Sequence, residues 1–188
     1  MTKKIFFISL ILAAFSSCNN DSKAVFVPKG QWQKFIYEDI QQLSKKNLTL
    51  NKTIAEGEKV ENEKLDSLDK EGWMTELEMF VSINTSKELA SGQFDSSDDQ
   101  SGKFRITNYY NKDTQSLLQQ FQIMKFENNV QILSWKLKSR SWIMDRDVEM
   151  SYQPQKGYRI QVNENNMWNS PRNFEIFAEI ENPEYLRR

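Results

Sequence analysis

Residues 130–152 read VQILSWKLKSRSWIMDRDVEMSY, and this stretch decides the fold. In its first half, Leu133, Trp135 and Leu137 alternate with serine or lysine. In its second half, every second residue is apolar apart from Arg146, namely Trp142, Met144, Val148, Met150 and Tyr152. Asp145, Asp147, Glu149 and Ser151 alternate with them. Such alternation is typical of strands with one buried face. The stretch therefore predicts two antiparallel strands with an apolar inner face and a charged outer face.

The loop between these two strands sets their register. A short loop centred on residues 140–141 would place Trp135 opposite Arg146 on the inner face. The same loop would place Lys136 opposite Asp145 on the outer face. Residues of the predicted inner face are then paired with each other, and so are residues of the outer face, because directly opposite residues of an antiparallel pair lie on the same side of the sheet.

Further strand signals surround this hairpin. Apolar residues at alternate positions predict strands that begin at Phe104, cover residues 117–126, run from Tyr158 to Val162, and run from Phe174 to Ile180. Residues 91–102 are polar around Phe94 and predict a loop. The carboxyl-terminal half is thus predicted to be an antiparallel meander.

The amino-terminal half has the period of helices instead. A first helix from Gln31 to about Lys46 would bury Trp32, Phe35, Ile36, Ile40 and Leu43. A second helix, capped by Asp66 or Ser67, would bury Leu68, Trp73, Leu77, Phe80 and Val81. Helices followed by antiparallel strands predict an α+β fold, in which an N-terminal helix, a β-hairpin and a second helix pack on the meander sheet.

Residues 47–65, between the two helices, allow two interpretations. Leu50 and Ile54 would continue a heptad-like stripe and extend the first helix. Gly57 favours a hairpin instead, because glycine accepts the positive φ of a tight turn. We prefer the hairpin, with strands near 48–55 and 59–64, and the longer helix is the alternative.

The first 18 residues carry a targeting pattern. Two lysines precede an apolar run over residues 5–15, and small residues follow up to Cys18, which is the only cysteine. This order predicts a secretory signal over residues 1–17. The run is shorter than the roughly 20 apolar residues of a transmembrane helix. Phe15-Ser16-Ser17-Cys18 resembles the lipobox of bacterial lipoproteins, and that resemblance implies cleavage before Cys18 and acylation of its thiol.

The rest of the chain is divided accordingly. Residues 18–30 are predicted to be the lipidated cysteine and a tether, residues 31–182 a single domain, and residues 183–188 a tail. The order of elements is similar to that of small envelope lipoproteins of Bacteroidota, which implies attachment to the outer membrane through Cys18. Only one acid, Asp21, closely follows the cysteine, which favours the periplasmic side over the cell surface. Other envelope proteins are the expected partners.

Composition excludes several functional classes. The chain contains no histidine, so Ser-His-Asp catalysis, Cys-His catalysis and histidine metal sites are excluded. A single cysteine has no intramolecular disulfide partner. Lysine and arginine number 25 against 26 acids, with no dense basic segment, so nucleic acid is not an expected partner.

Two acidic segments are candidates for a calcium site or for acid-base catalysis. Asp95–Asp99 has calcium-like spacing, but Gln100 replaces the glycine and Ile106 the glutamate of an EF-hand loop. Asp145 and Asp147 lie on the predicted solvent face, where nothing would raise a carboxyl pKa for acid-base work. The sequence therefore predicts no catalytic residue, no metal and no cofactor.

The inner face holds the candidate ligand-binding residues Trp135, Trp142 and Arg146. A buried guanidinium needs a partner or an aromatic ring, so Arg146 is expected near a strand end, packed on Trp135. The large side chains favour a core beneath the helices. The alternative is a cavity for an acyl chain, as in carrier half-barrels of the lipoprotein-sorting type, which are similar in size and architecture.

Together these patterns favour a lipid-anchored envelope protein that binds or assembles with other components and performs no catalysis. A carrier of a hydrophobic ligand is the alternative function.

Overall fold

A computed structural model describes residues 30–168 and 170–181 of the chain. The predicted signal segment, Cys18, the tether before Gly30 and the tail lie outside the described residues. The described helices are α1 Gln31–Leu43, α2 Lys70–Glu76, α3 Glu78–Ser82 and α4 Thr85–Ala90. The described strands are β1 Thr49–Glu56, β2 Lys59–Asp66, β3 Phe94–Ser101, β4 Phe104–Asn111, β5 Leu118–Phe126, β6 Asn129–Arg140, β7 Met144–Gln153, β8 Gly157–Asn166 and β9 Arg172–Glu181. The predicted α+β class is confirmed.

The described strands form one antiparallel sheet of nine strands in the order β2-β1-β9-β8-β7-β6-β5-β4-β3. Strands β3 to β9 follow one another across the sheet, and the β1–β2 hairpin joins through β1 against β9, with Thr49 opposite Glu181. The preferred hairpin over residues 47–65 is confirmed, with Gly57 at φ 59° in its turn. The alternative, a longer first helix, is wrong.

A continuous core lies between the helices and one face of the sheet. From α1, Ile36, Ile40 and Leu43 are fully buried, as their spacing predicts. The largest fully buried side chains elsewhere are mostly aromatic: Trp73, Phe80, Phe121, Trp135 and Tyr152. Burying a large apolar side chain contributes about 1.5–3 kcal/mol, so this aromatic layer is a major source of stability.

The predicted second helix is interrupted and becomes α2 and α3, with the short helix α4 following them, which corrects its start and its continuity. Strand β2 continues through Asp66, and Ser67 adopts a left-handed φ of 55°, so neither residue caps a helix. Asp69 is the cap instead, and its carboxylate accepts a hydrogen bond from the Gly72 amide at 2.7 Å. A break at Leu77 separates α2 from α3, although Leu77 itself is buried as predicted.

The predicted loop over residues 91–102 is wrong, because Phe94–Ser101 forms strand β3 at the edge of the sheet. Almost all of its side chains are exposed, so neither face imposes an apolar alternation. Backbone pairing with β4 holds the strand, and Arg105 binds Asp98 at 2.7 Å. A polar edge strand of this kind also discourages pairing with another chain.

The predicted register of β6 and β7 is wrong by four residues. Strand β6 extends to Arg140, so the turn moves along the chain and Trp135 lies opposite Met150. Lys136 lies opposite Glu149 and not opposite Asp145. An even shift keeps each side chain that remains within β6 or β7 on its predicted face, which is why most of the inner and outer sets survive the error.

The corrected register makes a prediction for Lys136 and Glu149, whose Nζ and Oε1 atoms lie 2.9 Å apart with both side chains about half exposed. Reversing either charge alone should cost under about 1 kcal/mol of the free energy of unfolding, because solvent screens the pair. Reversing both should restore most of that loss. Urea unfolding measures the cycle, with Lys136 and Asp145 as the non-contacting control pair, whose losses should add. Additive losses for Lys136 and Glu149 would show that they are not neighbours.

Candidate functional site

Trp135 is a core residue beneath the helices. It is 1% exposed, and its ring centroid lies 5.6 Å from that of Phe80 and 5.4 Å from that of Phe121. Its indole N–H donates a hydrogen bond to the Thr85 hydroxyl at 2.9 Å. Both the ring and the polar atom of Trp135 are therefore satisfied by the chain itself.

Two tyrosines of the sheet bind carboxylates of the helices. The Tyr152 hydroxyl donates to Asp39, which also accepts the backbone N–H of Gln155 at 3.1 Å. The Tyr158 hydroxyl donates to Glu76, which pairs with Lys52 at 2.8 Å. These bonds fasten the helix layer to the sheet.

Both phenols are weaker acids than an ordinary tyrosine. Burial raises the pKa of Tyr152 well above its ordinary value, and the neighbouring Asp39 carboxylate is the second cause of the rise. Burial likewise raises the pKa of Tyr158, and the Glu76 carboxylate is the second cause. Both hydroxyls stay protonated at any physiological pH, so the two pairs are structural. The sequence analysis missed Asp39, although its position between Ile36 and Ile40 on the apolar stripe of α1 was a usable signal.

Arg146 lies near the start of β7, as predicted, but it does not lie opposite Trp135. Its neighbours across the sheet are Ser139 and Glu164. The guanidinium contacts the Glu164 carboxylate through Nη2 at 2.6 Å and Nε at 3.0 Å, and both side chains are mostly buried. The predicted packing on Trp135 is wrong because the register places Met150 there. A charge-assisted pair supplies the partner that a half-buried arginine needs.

Trp142 is not an inner-face residue, contrary to its predicted place in the core. Because β6 ends at Arg140 and β7 begins at Met144, Trp142 lies in the turn between them. Side chains alternate between two faces only within a strand, so the alternation does not apply to Trp142. It is 80% exposed. Of the three predicted ligand-binding residues, Trp142 and Arg146 lie toward the same end of the sheet, and Trp135 lies in the core.

A second turn brings two further apolar side chains to Trp142. The rings of Trp142 and Trp168 meet edge to face at 6.3 Å, and the Met167 amide donates to the Ile143 carbonyl at 3.0 Å. Trp168 and Met167 are 68% and 65% exposed. We call Trp142, Met167 and Trp168 the aromatic tip. The sequence analysis missed Met167 and Trp168; their signal was two large apolar residues in a polar, asparagine-rich turn.

Two surface depressions lie elsewhere in the described part of the chain. An open groove of about 400 Å³ runs beside the start of α1 and is lined by Trp32, Phe35, Lys125 and Val130, among others. A polar depression of about 360 Å³ lies on the outer face of the sheet and includes Gln122, Lys136 and Glu149. Trp135 lines neither of them.

Over residues 30–168 and 170–181, no cluster of three or more cysteine and acidic side chains could hold a metal ion. Asp95, of the calcium-like segment, pairs with Lys112 at 2.8 Å. None of the described helices combines the length and apolar character needed to cross a membrane. No protein-family model matches the chain, and no curated protein matches it significantly.

Proposed function

We propose that this protein is a lipid-anchored module of the cell envelope that binds or assembles with other envelope components and performs no catalysis. The signal pattern and Cys18 support the anchor, and the single acid close after Cys18, Asp21, favours the periplasmic side of the outer membrane. One observation carries the choice of a binding module over a carrier. The space between the helices and the sheet is filled by the chain's own aromatic side chains, among them Phe80, Phe121 and Trp135.

A carrier needs an enclosed space for its ligand. Binding sites for small hydrophobic molecules are typically concave pockets of about 300–1,000 Å³ that bury most of the ligand. The groove beside α1 and the depression on the outer face of the sheet are both open to solvent, and the second is lined mainly by polar side chains. Recognition of other envelope components is therefore assigned to the exterior of the domain.

One observation favours the carrier as a second candidate. The helices that follow β2 have only five to seven residues each, with breaks at Leu77 and Asn84. Short helices joined by breaks separate from a sheet more easily than one long helix. Movement of α3 and α4 would uncover Trp135. The buried Trp73 Nε1 has no hydrogen-bond partner among residues 30–168 and 170–181. A ligand would then take the place of the helix layer.

Native mass spectrometry of the purified, full-length protein separates the two candidates. We expect acyl groups covalently bound to the chain and no further lipid mass, with or without a partner protein. A stoichiometric lipid that leaves on collisional activation would place the carrier ahead. Mild detergents and a matched sample extracted into denaturant distinguish covalent from non-covalent lipid.

Replacing Cys18 with serine tests the anchor. Cys18→Ser should abolish incorporation of labelled palmitate and block processing of the signal segment, because no thiol is left to acylate. Membrane binding by acyl chains amounts to about 0.8 kcal/mol per buried CH₂, and a single chain binds only marginally. The matched control is Ser17→Ala, which keeps a small residue before the cysteine and should be labelled normally. Undiminished labelling of Cys18→Ser would refute the anchor.

A further inference from the structure

We infer that the aromatic tip inserts into the interfacial layer of a lipid bilayer. Its two indoles project from adjacent turns at one end of the sheet, joined by the backbone bond from Met167 to Ile143. Tryptophan is enriched where membrane meets water, because the ring is apolar and its N–H can still find a polar partner. Two such rings, both largely exposed in turns at one end of the sheet, suit a fluid layer.

The exposed area of the tip argues against a second copy of the chain, or another folded protein, as its occupant. Trp142 and Trp168 expose 80% and 68% of their surface. At an upper value of about 250 Å² per indole side chain, the two rings offer roughly 370 Å². Met167, which is 65% exposed, adds less than one further indole would. A stable protein interface buries about 800 Å² on each partner. A bilayer has no such minimum, because each side chain partitions on its own.

The charges around the tip indicate a neutral lipid surface. Arg140 binds Asp147 with two bonds of 2.9 and 3.0 Å, and Arg146 binds Glu164. Arg172, at the start of β9, binds Glu56. Because these three guanidinium groups are already paired with carboxylates, they do not offer free positive charge to anionic lipids. The proposed ligand is thus the headgroup and upper acyl region of zwitterionic phospholipid.

The tip and the chain's entry point lie at opposite ends of the sheet. Trp32, near the start of α1, lies beside Lys125 and Val130, at the start of β6, whereas Trp142 follows the end of β6. The 12 residues of β6 span about 40 Å. The segment from Cys18 to Gly30 reaches about 40 Å at full extension. An anchored chain can therefore place its tip in the same bilayer when the sheet lies along the surface. The insertion itself does not depend on acylation.

Fluorescence quenching by brominated lipid tests the insertion. The full-length protein is reconstituted with phosphatidylcholine vesicles whose acyl chains carry bromine, and its tryptophan emission is compared with that in unbrominated vesicles. Trp32, Trp73 and Trp135 are at least nine-tenths buried, so they should contribute little to quenching. We expect clear quenching in the parent and an at least threefold smaller quenched fraction in the double variant Trp142→Phe/Trp168→Phe.

The matched control is Trp32→Phe, which removes an indole from the opposite end of the sheet and should leave the quenching of the tip unchanged. An unquenched parent, or equal quenching in the double variant, would overturn the inference. Quenching that requires anionic lipid would overturn the neutral surface in particular. Circular dichroism and urea midpoints of the three proteins verify that each is folded, so a loss of quenching cannot arise from unfolding.

Discussion

Trp135→Ala is expected to lower the free energy of unfolding by about 3–5 kcal/mol, whereas Trp142→Ala should change it by less than about 0.5 kcal/mol. Trp135 is enclosed by Phe80 and Phe121, so truncation leaves a cavity that its neighbours cannot fill. It also leaves the buried Thr85 hydroxyl without its donor. The expected loss is a large share of a typical stability of about 5–15 kcal/mol. Trp142 loses mainly an exposed ring contact with Trp168.

Urea unfolding followed by far-ultraviolet circular dichroism measures both variants, since tryptophan emission changes with the substitutions themselves. Trp135→Phe serves as the matched control, because it keeps a ring between Phe80 and Phe121 and removes only the bond to Thr85. Its loss should be intermediate. If Trp135→Ala unfolds at the same urea concentration as the parent, Trp135 borders space that solvent or ligand can fill. The carrier would then be the better proposal.

The sequence predicted the inner face of the sheet well, because an apolar alternation survives any even error in register. Leu133 and Trp135 are buried as predicted, and Asp145 and Asp147 are exposed as predicted. The same rule fails at Trp142, which is spaced by an even number of residues from the buried residues of β7 but lies in a turn. The alternation determines the face on which a side chain lies only inside a strand, and the position of the turn depends on how far each strand continues.

The edge of the sheet and the helix layer were harder to predict for physical reasons. Strand β3 has no buried face, so its backbone pairing with β4 leaves no trace in the side-chain pattern. The predicted second helix breaks at Leu77 even though its apolar stripe continues through Phe80 and Val81. A stripe reports which residues are buried. It does not report whether the helical hydrogen bonds between them are continuous.

The candidate sites depended on contacts between distant segments. Arg146 needed a partner, but only the register of β8 identifies Glu164. The aromatic tip arises where the β6–β7 turn meets the β8–β9 turn, so Trp142 alone gave no indication of it. Cys18 is the opposite case, since its predicted acylation depends on a local pattern of residues and is independent of the fold.

Gly157→Ala is expected to destabilise the protein by at least about 3 kcal/mol, through the backbone rather than through a cavity. Gly157 begins β8 at φ 138°, a conformation that residues with a side chain rarely adopt. A Cβ at this position would lie 2.0 Å from the carbonyl oxygen of Ala178 and 2.9 Å from its carbonyl carbon. Both atoms belong to the backbone of β9, so relief requires the two strands to separate where Gly157 pairs with Glu179.

Gly102→Ala is the matched control, because Gly102 also has a positive φ, 60°, but a Cβ there would meet no atom within 4 Å. It should cost only the backbone strain of a left-handed residue, about 1–2 kcal/mol. Urea midpoints give both losses, and amide exchange should show faster opening of β8 and β9 in Gly157→Ala alone. Equal losses in the two variants would mean that β8 does not approach Ala178 this closely. The sheet would then tolerate a side chain at the point where its last two strands meet.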